Sequence, residues 1–469
     1  MLKTRFPNAF FAELTVLVSS IVMSGVAVGF GNCVSAQIVL DSTLGSESSV
    51  VTPNGSINGS PSDKIDGGAI RETNLFHSFQ EFNVSEGRGI YFSNPDGIEN
   101  ILSRVTGTNT SNIWGKLGVL GNANLFLINP NGIIFGQNAS LDVKGSFIAS
   151  TASSFKFNDQ TEFSATASQT TPLLTISVPS GLQYGANRGR ILVQGDGQGT
   201  RANGEPIDTS VGLRVQPNKT LALVGGDITL EGGTLKTAGG QIELGSVGSP
   251  SLVNLSSNPK GFSLSYDSVP AFGNIQLFQQ ATVDASGIEG GNIQVQGRRV
   301  LLSDGSQIES STLGEGQGGT LRIKASDSVE LIGESADALY STSLATQVYE
   351  EATGSGGNLT IETGQLTVQA ANAGPRASKF VITGRGGLPE DPGNPRNGDY
   401  SWADLRFFPI ESQPNSPPVT TQPTDSAAKP LVEASGWTIT SKGEVVLTAA
   451  APSTATEVPW MTPSSCHAS

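Results

Sequence analysis

Acid–base chemistry on a sugar chain needs two positioned carboxyl groups, or a base beside a cation. Asp284, Asp304, Glu309, Asp327 and Glu330 are the carboxylates of the second half that fall where a strand wall would carry them. They are scattered among short apolar runs and turns, so they can work as a pair only where the fold stacks one run upon the next. Other chemistries have less to stand on. Gly314, Gly316 and Gly319 match the spacing GxGxxG, but Thr320 to Ala325 alternate like a strand, so no helix N-terminus is offered to a phosphate. The run GDGQG from Gly195 lacks the ordered aspartates of calcium-binding nonapeptides. His77 and His467 are the only histidines, no GxSxG occurs, and no His/Cys set has zinc spacing. His77, between Phe76 and Ser78, reads as a packed structural histidine. No catalytic residue, no metal and no cofactor is expected.

The elements that would position such residues are set by composition. Charged residues are 14% of the 469-residue chain and Gly reaches 58 copies, against usual shares of about 25% and about 7%. Leu, Ile, Val and Phe recur throughout, which a disordered chain would lack. The formal charge of −14 and the absence of a Lys/Arg cluster interleaved with aromatics exclude a nucleic-acid partner.

At the N-terminus Lys3 and Arg5 precede a nearly uncharged stretch from Leu14 to Phe30, followed by Val34-Ser35-Ala36. Small residues before a cut mark a secretory signal, so residues 1–36 are expected to leave and cleavage to fall between Ala36 and Gln37. A membrane anchor is disfavoured by the short stretch and its glycines Gly25, Gly29 and Gly31. A lipoprotein Cys33 is disfavoured by the bulky Asn32 before it. With Cys33 removed only Cys466 remains, so no intrachain disulfide forms and the core must supply the stability.

In "NLFLINPNGIIFG", Asn124 to Gly136, four turn-forming residues separate two apolar runs. Strand-like runs begin near Leu125, Ile133, Leu141 and Phe147, a total step of 22 residues from Leu125 to Phe147. Three short strands in that length match one coil of a three-sided parallel β-helix, with coils about 4.8 Å apart and no room for crossover helices. Pro130 sets φ for the second turn position, and Asn131 or Gly132 can take a positive φ. Further on, Gly290-Gly291-Asn292-Ile293 recurs from Gly318 and Gly356, with related forms at Gly225 (GGDI) and Gly239 (GGQI). Such self-similarity is the signature of a solenoid. The proline-crowded 386–430 reads as a linker. The segment from Gly436, GWTITSKGEVVLTA, either folds back as a hairpin around Ser441-Lys442-Gly443 or docks on the last coil.

These residues carry a resemblance. The segments TNLFHSFQEFNV (from Thr73), GIYFSN (from Gly89), ENILSRVTG (from Glu99) and Gly118 to Thr151 resemble the secretion domain of two-partner secretion exoproteins, the filamentous-haemagglutinin-like family. Its Asn-Pro-Asn-Gly-Ile motif falls on Asn129, Pro130, Asn131, Gly132 and Ile133. The resemblance implies Sec export, recognition of the unfolded chain by the POTRA domains of a partner outer-membrane β-barrel transporter, and folding outside into a right-handed parallel β-helix. The sequence departs from the family upstream, where Asn94-Pro95-Asp96-Gly97-Ile98 stands in place of an Asn-Pro-Asn-Leu motif. The expected layout is a signal peptide at 1–36, a two-partner secretion domain at 37–160, β-helix repeats at 161–385, a Pro-rich linker at 386–430 and a strand segment with tail at 431–469.

The expected fold is all-β, a three-sided solenoid with an N-terminal secretion-domain cap and a Pro-rich C-terminal tail. The expected function is that of a secreted or cell-surface exoprotein in adhesion or surface-matrix binding, with cell-surface glycans or proteins as partners. The motif Asn129 to Ile133 is assigned to transporter recognition or early folding. One alternative is a β-helical carbohydrate-active enzyme. Arg322-Ile323-Lys324 matches a triplet of polygalacturonases, but the clustered aspartates and Gly-His-Gly of those enzymes are missing. The other alternative is a carrier of a cytotoxic effector, against which stands a proline-rich tail with no toxin-like segment. N-terminal sequencing of the secreted protein is expected to begin at Gln37; a lipid-modified Cys33 would overturn this.

Overall fold

The computed structural model describes residues 38–166, 174–201, 212–337, 340, 342–349 and 352–368 in full. It also describes the backbone of residue 369 and of strands Arg376–Gly384, Ala403–Glu411, Gly436–Ile439 and Val445–Thr448. Ala36, Gln37 and all of 386–430 except Ala403–Glu411 lie outside the described residues. No described helix is long and apolar enough to cross a membrane.

The chain is a parallel β-helix with three faces. The first face stacks Asn74–Phe82, Asn100–Val105, Asn124–Ile128, Phe147–Ser150, Thr220–Gly225 and Gln241–Ser246, then the leading halves of Asn292–Ser303, Thr320–Ile332 and Asn358–Gln369. The second stacks Ser111–Ile113, Ile133–Phe135, Ile191–Gln194, Ile228–Glu231 and Asn274–Phe278, then the trailing halves of the same long strands. The third runs as two ladders, one from Ser60–Gly67 to Ser140–Asp142, the other from Leu213–Arg214 to Ser343–Thr346. Leu125 pairs with Phe147, so the 22-residue sequence step is the register step of a coil.

Register follows from two columns. Leu75, Ile101, Leu125, Phe147, Leu221, Ile242, Ile293, Leu321 and Leu359 stack inside the helix, each at most 1% exposed. The residue before each is polar: Asn74, Asn100, Asn124, Ser146, Thr220, Gln241, Asn292, Thr320 and Asn358. In the early coils these side chains form a ladder, Asn124 Nδ2 donating to Asn100 Oδ1 (3.0 Å) and Asn100 Nδ2 to Asn74 Oδ1 (3.2 Å). Elsewhere they reach the next backbone: the amide nitrogens of Ser146 and Thr320 donate to Asn124 Oδ1 (2.9 Å) and Asn292 Oδ1 (3.0 Å).

The glycine pairs form the neighbouring column. A Cβ on Gly291 would stand 2.6 Å from Gly240 O, one on Gly319 1.7 Å from Gly291 O, and one on Gly357 2.4 Å from Gly319 O. Backbone packs on backbone there, and only glycine fits. The Gly225-Gly226 pair belongs elsewhere: its following Ile228 stacks on Ile191 in the second face.

Between Ser150 and Ile191 the chain leaves the coils and returns. It lays down Ser154–Phe157, Glu162–Ser164 and Pro179–Tyr184, which join Ser251–Asn258 and Gly261–Ser265 in an antiparallel sheet over the outside of the first face. This encloses a second apolar core in which Phe126 meets Phe155 (5.9 Å) and Phe262 (5.1 Å). The pairing of Phe147–Ser150 with Thr220–Gly225 crosses the expected division at residues 160 and 161 without a break. At the C-terminal side, Gly436–Ile439 and Val445–Thr448 form a hairpin, and Val445–Leu447 also pairs with Leu359–Ile361, so both expected alternatives for this segment are realised.

The N-terminal end is closed by antiparallel strands. Ile38–Leu40 and Ala69–Arg71 pair with Asn74–Phe82, and the hairpin Ser49–Ile57/Ser60–Gly67 lies beside them. Beneath it His77 is fully buried, its Nδ1 2.8 Å from Ser49 Oγ and its ring 5.2 Å from that of Phe92. Burial pushes its pKa down to about 3. Below the unfolded value of about 6.5 the unfolded chain takes a proton that the folded chain refuses, so the His77 contribution to stability falls as pH falls, by up to about 1.4 kcal/mol per pH unit. Burial pushes Glu243 up to about 8, and its contribution runs the other way over the same range, so His77 is read from a difference between parent and variant. Urea melts of the parent and of His77→Phe between about pH 6 and 5 should differ in slope by about 1 kcal/mol per pH unit, the variant losing less stability in acid; equal slopes would refute it.

Candidate functional site

The corner Asn129 to Ile133 is built by side-chain amides and completed by its neighbours. Gly132 N donates to Asn129 O (3.1 Å), closing the turn. Asn131 N donates to Asn129 Oδ1 (3.0 Å), the turn-forming bond that an Asn side chain offers two residues on. Gly132 alone takes the positive φ, +119°, while Asn131 does not.

Both asparagines then reach the coil before. Asn129 Nδ2 donates to Asn109 O (3.0 Å) and Ser111 Oγ (2.9 Å), and Asn131 Nδ2 to Gly107 O (2.8 Å). The coil after covers the turn: Gly189 N donates to Pro130 O (2.8 Å), Ile133 N to Arg190 O (3.1 Å), and Asn187 Nδ2 to Asn131 Oδ1 (2.9 Å). Asn129, Pro130, Gly132 and Ile133 are buried and Asn131 half-buried. The corner is therefore a seam tying three coils, and the folded chain presents little of it to a partner.

The upstream Asn-Pro turn uses the same device in the other direction. Asn94 Nδ2 donates to Pro95 O and Ile98 O (both 3.1 Å), and its Oδ1 accepts from Ala123 N (2.8 Å) in the following coil. The substituted Asp96-Gly97 lies on the turn, with Gly97 at φ +83°.

The candidate carboxylates separate into two kinds. Asp327 and Glu330 make cross-coil ion pairs with Arg298 (2.9 Å) and Arg299, and Asp304 holds a turn at φ +55°. Arg322 and Lys324 both face Glu362 on the next coil. Asp284 and Glu309, by contrast, are in register one coil apart on the third face and are both buried. Burial raises the Asp284 pKa, but Arg201 and Lys236 beside it outweigh this and hold it below the usual range. Burial and the Asp284 charge push Glu309 up. Two carboxyls whose pKa values are pushed apart have the electrostatic form of an acid–base pair. At 1% and 6% exposure, however, the two are closed to a sugar chain. No group of His, Cys, Asp and Glu able to hold a metal occurs among the described residues.

The decisive comparison is with a family: the model of the TPS secretion domain matches residues 36–301, more than half of the 469-residue chain. The chain belongs to the TPS secretion domain family. The matched region contains both Asn-Pro turns, the asparagine ladder and the antiparallel sheet on the first face. A Heme/hemopexin-binding protein of Haemophilus influenzae is 38% identical over 69 residues, which is 15% of this chain and 7% of that protein's length. The crystal structure of the HMW1 secretion domain from Haemophilus influenzae aligns with 69% of this chain and 84% of that chain, at 17% identity and a TM-score of 0.39. TPS secretion domains serve export through a partner transporter.

Sequence reasoning found the corner but not the partners of Asn129 and Asn131, which lie 18 to 24 residues upstream. The signal for them was the register itself. Asn129→Ala should destabilise the TPS domain by about 1 to 3 kcal/mol, because Nδ2 loses two partners and Oδ1 its turn bond. Gly132→Val, at positive φ, should cost a similar ~1 to 3 kcal/mol. Equilibrium unfolding would detect both losses; parent-like midpoints would show that the seam contributes nothing.

Proposed function

We propose that this chain is an exoprotein secreted to the cell exterior or surface after Sec export and signal cleavage at Ala36/Gln37. It passes unfolded through a partner outer-membrane β-barrel whose POTRA domains engage it. The motif Asn129 to Ile133 acts before folding is complete, as a recognition segment or as the first seam between coils. The observation that carries the reading is the burial of that motif inside a TPS secretion domain. A partner can read Asn129, Pro130 and Gly132 only while the coils before and after are absent. Folding outside then opposes return through the barrel, since each coil is stabilised by its neighbour.

Outside the cell the protein serves in adhesion or surface-matrix binding to glycans or proteins, without catalysis of its own. The occluded Asp284/Glu309 pair supports the non-enzymatic reading.

Export should require the partner transporter, and Asn129→Ala combined with Gly132→Val should lower it. Release in a strain lacking the transporter, or parent-level export of the double variant, would sink the reading. The purified protein should bind surfaces or glycans without cleaving them. Oligosaccharide release from a polysaccharide panel, abolished by Asp284→Asn, would replace adhesion by hydrolysis.

A further inference from the structure

Residues 195–201 leave the second face after Gln194 and cross the outside of the third. Gly195 N donates to Glu231 O (2.9 Å) and Gly197 N to Gly232 O (3.0 Å), so the crossing starts on the coil that continues into Thr234–Lys236. Gly199 lies on that coil, where a Cβ would come within 2.0 Å of Thr234 Oγ1. One coil further, Thr200 Oγ1 is 3.3 Å from Thr282 Oγ1, and Arg201 Nη2 donates to Asp284 Oδ2 at 2.5 Å.

The anchor at Arg201 is a ladder of charge. Lys236, Asp284 and Glu309 occupy the same register position on three successive coils. Lys236 Nζ is 3.4 Å from the Asp284 oxygen that Arg201 holds. Glu309 Oε1 accepts from Tyr349 Oη (2.9 Å) and Gln347 Nε2 (3.5 Å), contributed by the coil beyond. Arg201 and Asp284 side chains are 5% and 1% exposed. The pair closes a loop of 83 residues, within which the intervening coils must already be stacked.

We propose that the 195–201 strap is a late-closing latch: Arg201 docks only after the coils carrying Asp284 and Glu309 have formed, and it then locks the third face against unfolding. Burying a guanidinium before its carboxylate is in place carries an uncompensated desolvation cost. Closing a long loop also costs chain entropy before any contact rewards it. The strap therefore stays undocked while coils accumulate. An interaction absent from the folding transition state acts on the unfolding rate rather than on the folding rate. In export from the N-terminus, a chain whose later coils are still inside the barrel would carry an open latch; this last step rests on the proposed export route, whereas the latch itself does not.

The test uses the purified mature chain, refolded and unfolded in urea, so its failure is separate from any failure of the export reading. Arg201→Met should unfold about tenfold faster or more, with its folding rate unchanged. Arg201→Lys, which keeps the charge but not the fork, should fall between. In interrupted refolding of the unmutated protein, molecules returned to urea early, once the amides of Leu221–Val224 and Ile293–Val295 are protected, should unfold at the fast rate expected of an open latch, and only later acquire the slow rate of the mature protein. The proposal is overturned if Arg201→Met slows folding in proportion to its loss of stability, if its unfolding rate is unchanged, or if the earliest refolded molecules already unfold at the slow rate. The interrupted-refolding arm needs no variant and decides the matter even where Arg201→Met does not fold.

Discussion

Everything in this molecule depends on one constraint: a coil of a parallel β-helix cannot satisfy its own backbone. The strands of each coil are too short to pair within it, so their N–H and C=O groups pair with the coils before and after, at a spacing of about 4.8 Å. Residues at one register position are therefore forced into contact along the whole stack. Where the backbones must nearly touch, the column is Gly240, Gly291, Gly319 and Gly357. Where side chains must stack on their own kind, it is Leu, Ile and Phe inside and Asn, Ser, Thr or Gln beside them. The low charge content has the same origin, since few positions tolerate repeated like charge at that distance.

The corner at Asn129 shows what the constraint means for function. Its own bonds define only a tight turn, whereas its bonds to Gly107, Asn109 and Ser111 on one side and to Asn187, Gly189 and Arg190 on the other make it a seam. The following coil comes from residues near 190, beyond the strands of the covering sheet, so the seam closes across a long excursion of the chain. A short motif that is conspicuous in the unfolded chain and hidden in the folded one suits a role that ends when folding does.

Legibility in the sequence followed the same logic. The 22-residue step was readable because no insertion falls between Leu125 and Phe147, and the glycine pairs because each opens a strand at the same register position even where the interval grows from 28 to 38 residues; three of the Gly-Gly-Asn/Thr pairs do stack directly. The polar column is hidden in the sequence because Asn74, Asn100 and Asn124 each look like an ordinary residue at a strand start until register aligns them. The GGDI pair resembles the others locally, although its strand lies on a different face. The covering sheet was unreadable for a different reason. Local alternation in Ser154–Phe157 or Pro179–Tyr184 marks a strand, but nothing local says that its partner is Ser251–Asn258 rather than the next coil. Turn chemistry was readable to within one residue, with Gly132 and not Asn131 carrying the positive φ.

The pairing of Asp284 with Glu309 marks where sequence inference runs out and access takes over. Spacing hid the pair, because Lys236, Asp284 and Glu309 are separated by 48 and then 25 residues although they stand on successive coils. Once stacked, two carboxyls of opposite protonation tendency have the electrostatics of a hydrolytic site. In the same stack, however, Arg201 and Lys236 supply charge that a sugar would have to displace, and Arg201 brings its own segment of chain as cover. The geometry that lets a β-helix wall assemble an acid–base pair from distant residues equally lets it assemble an ionic staple. What separates the two outcomes is whether solvent reaches the gap between the carboxyls, and here an arginine from the chain itself fills the approach to Asp284.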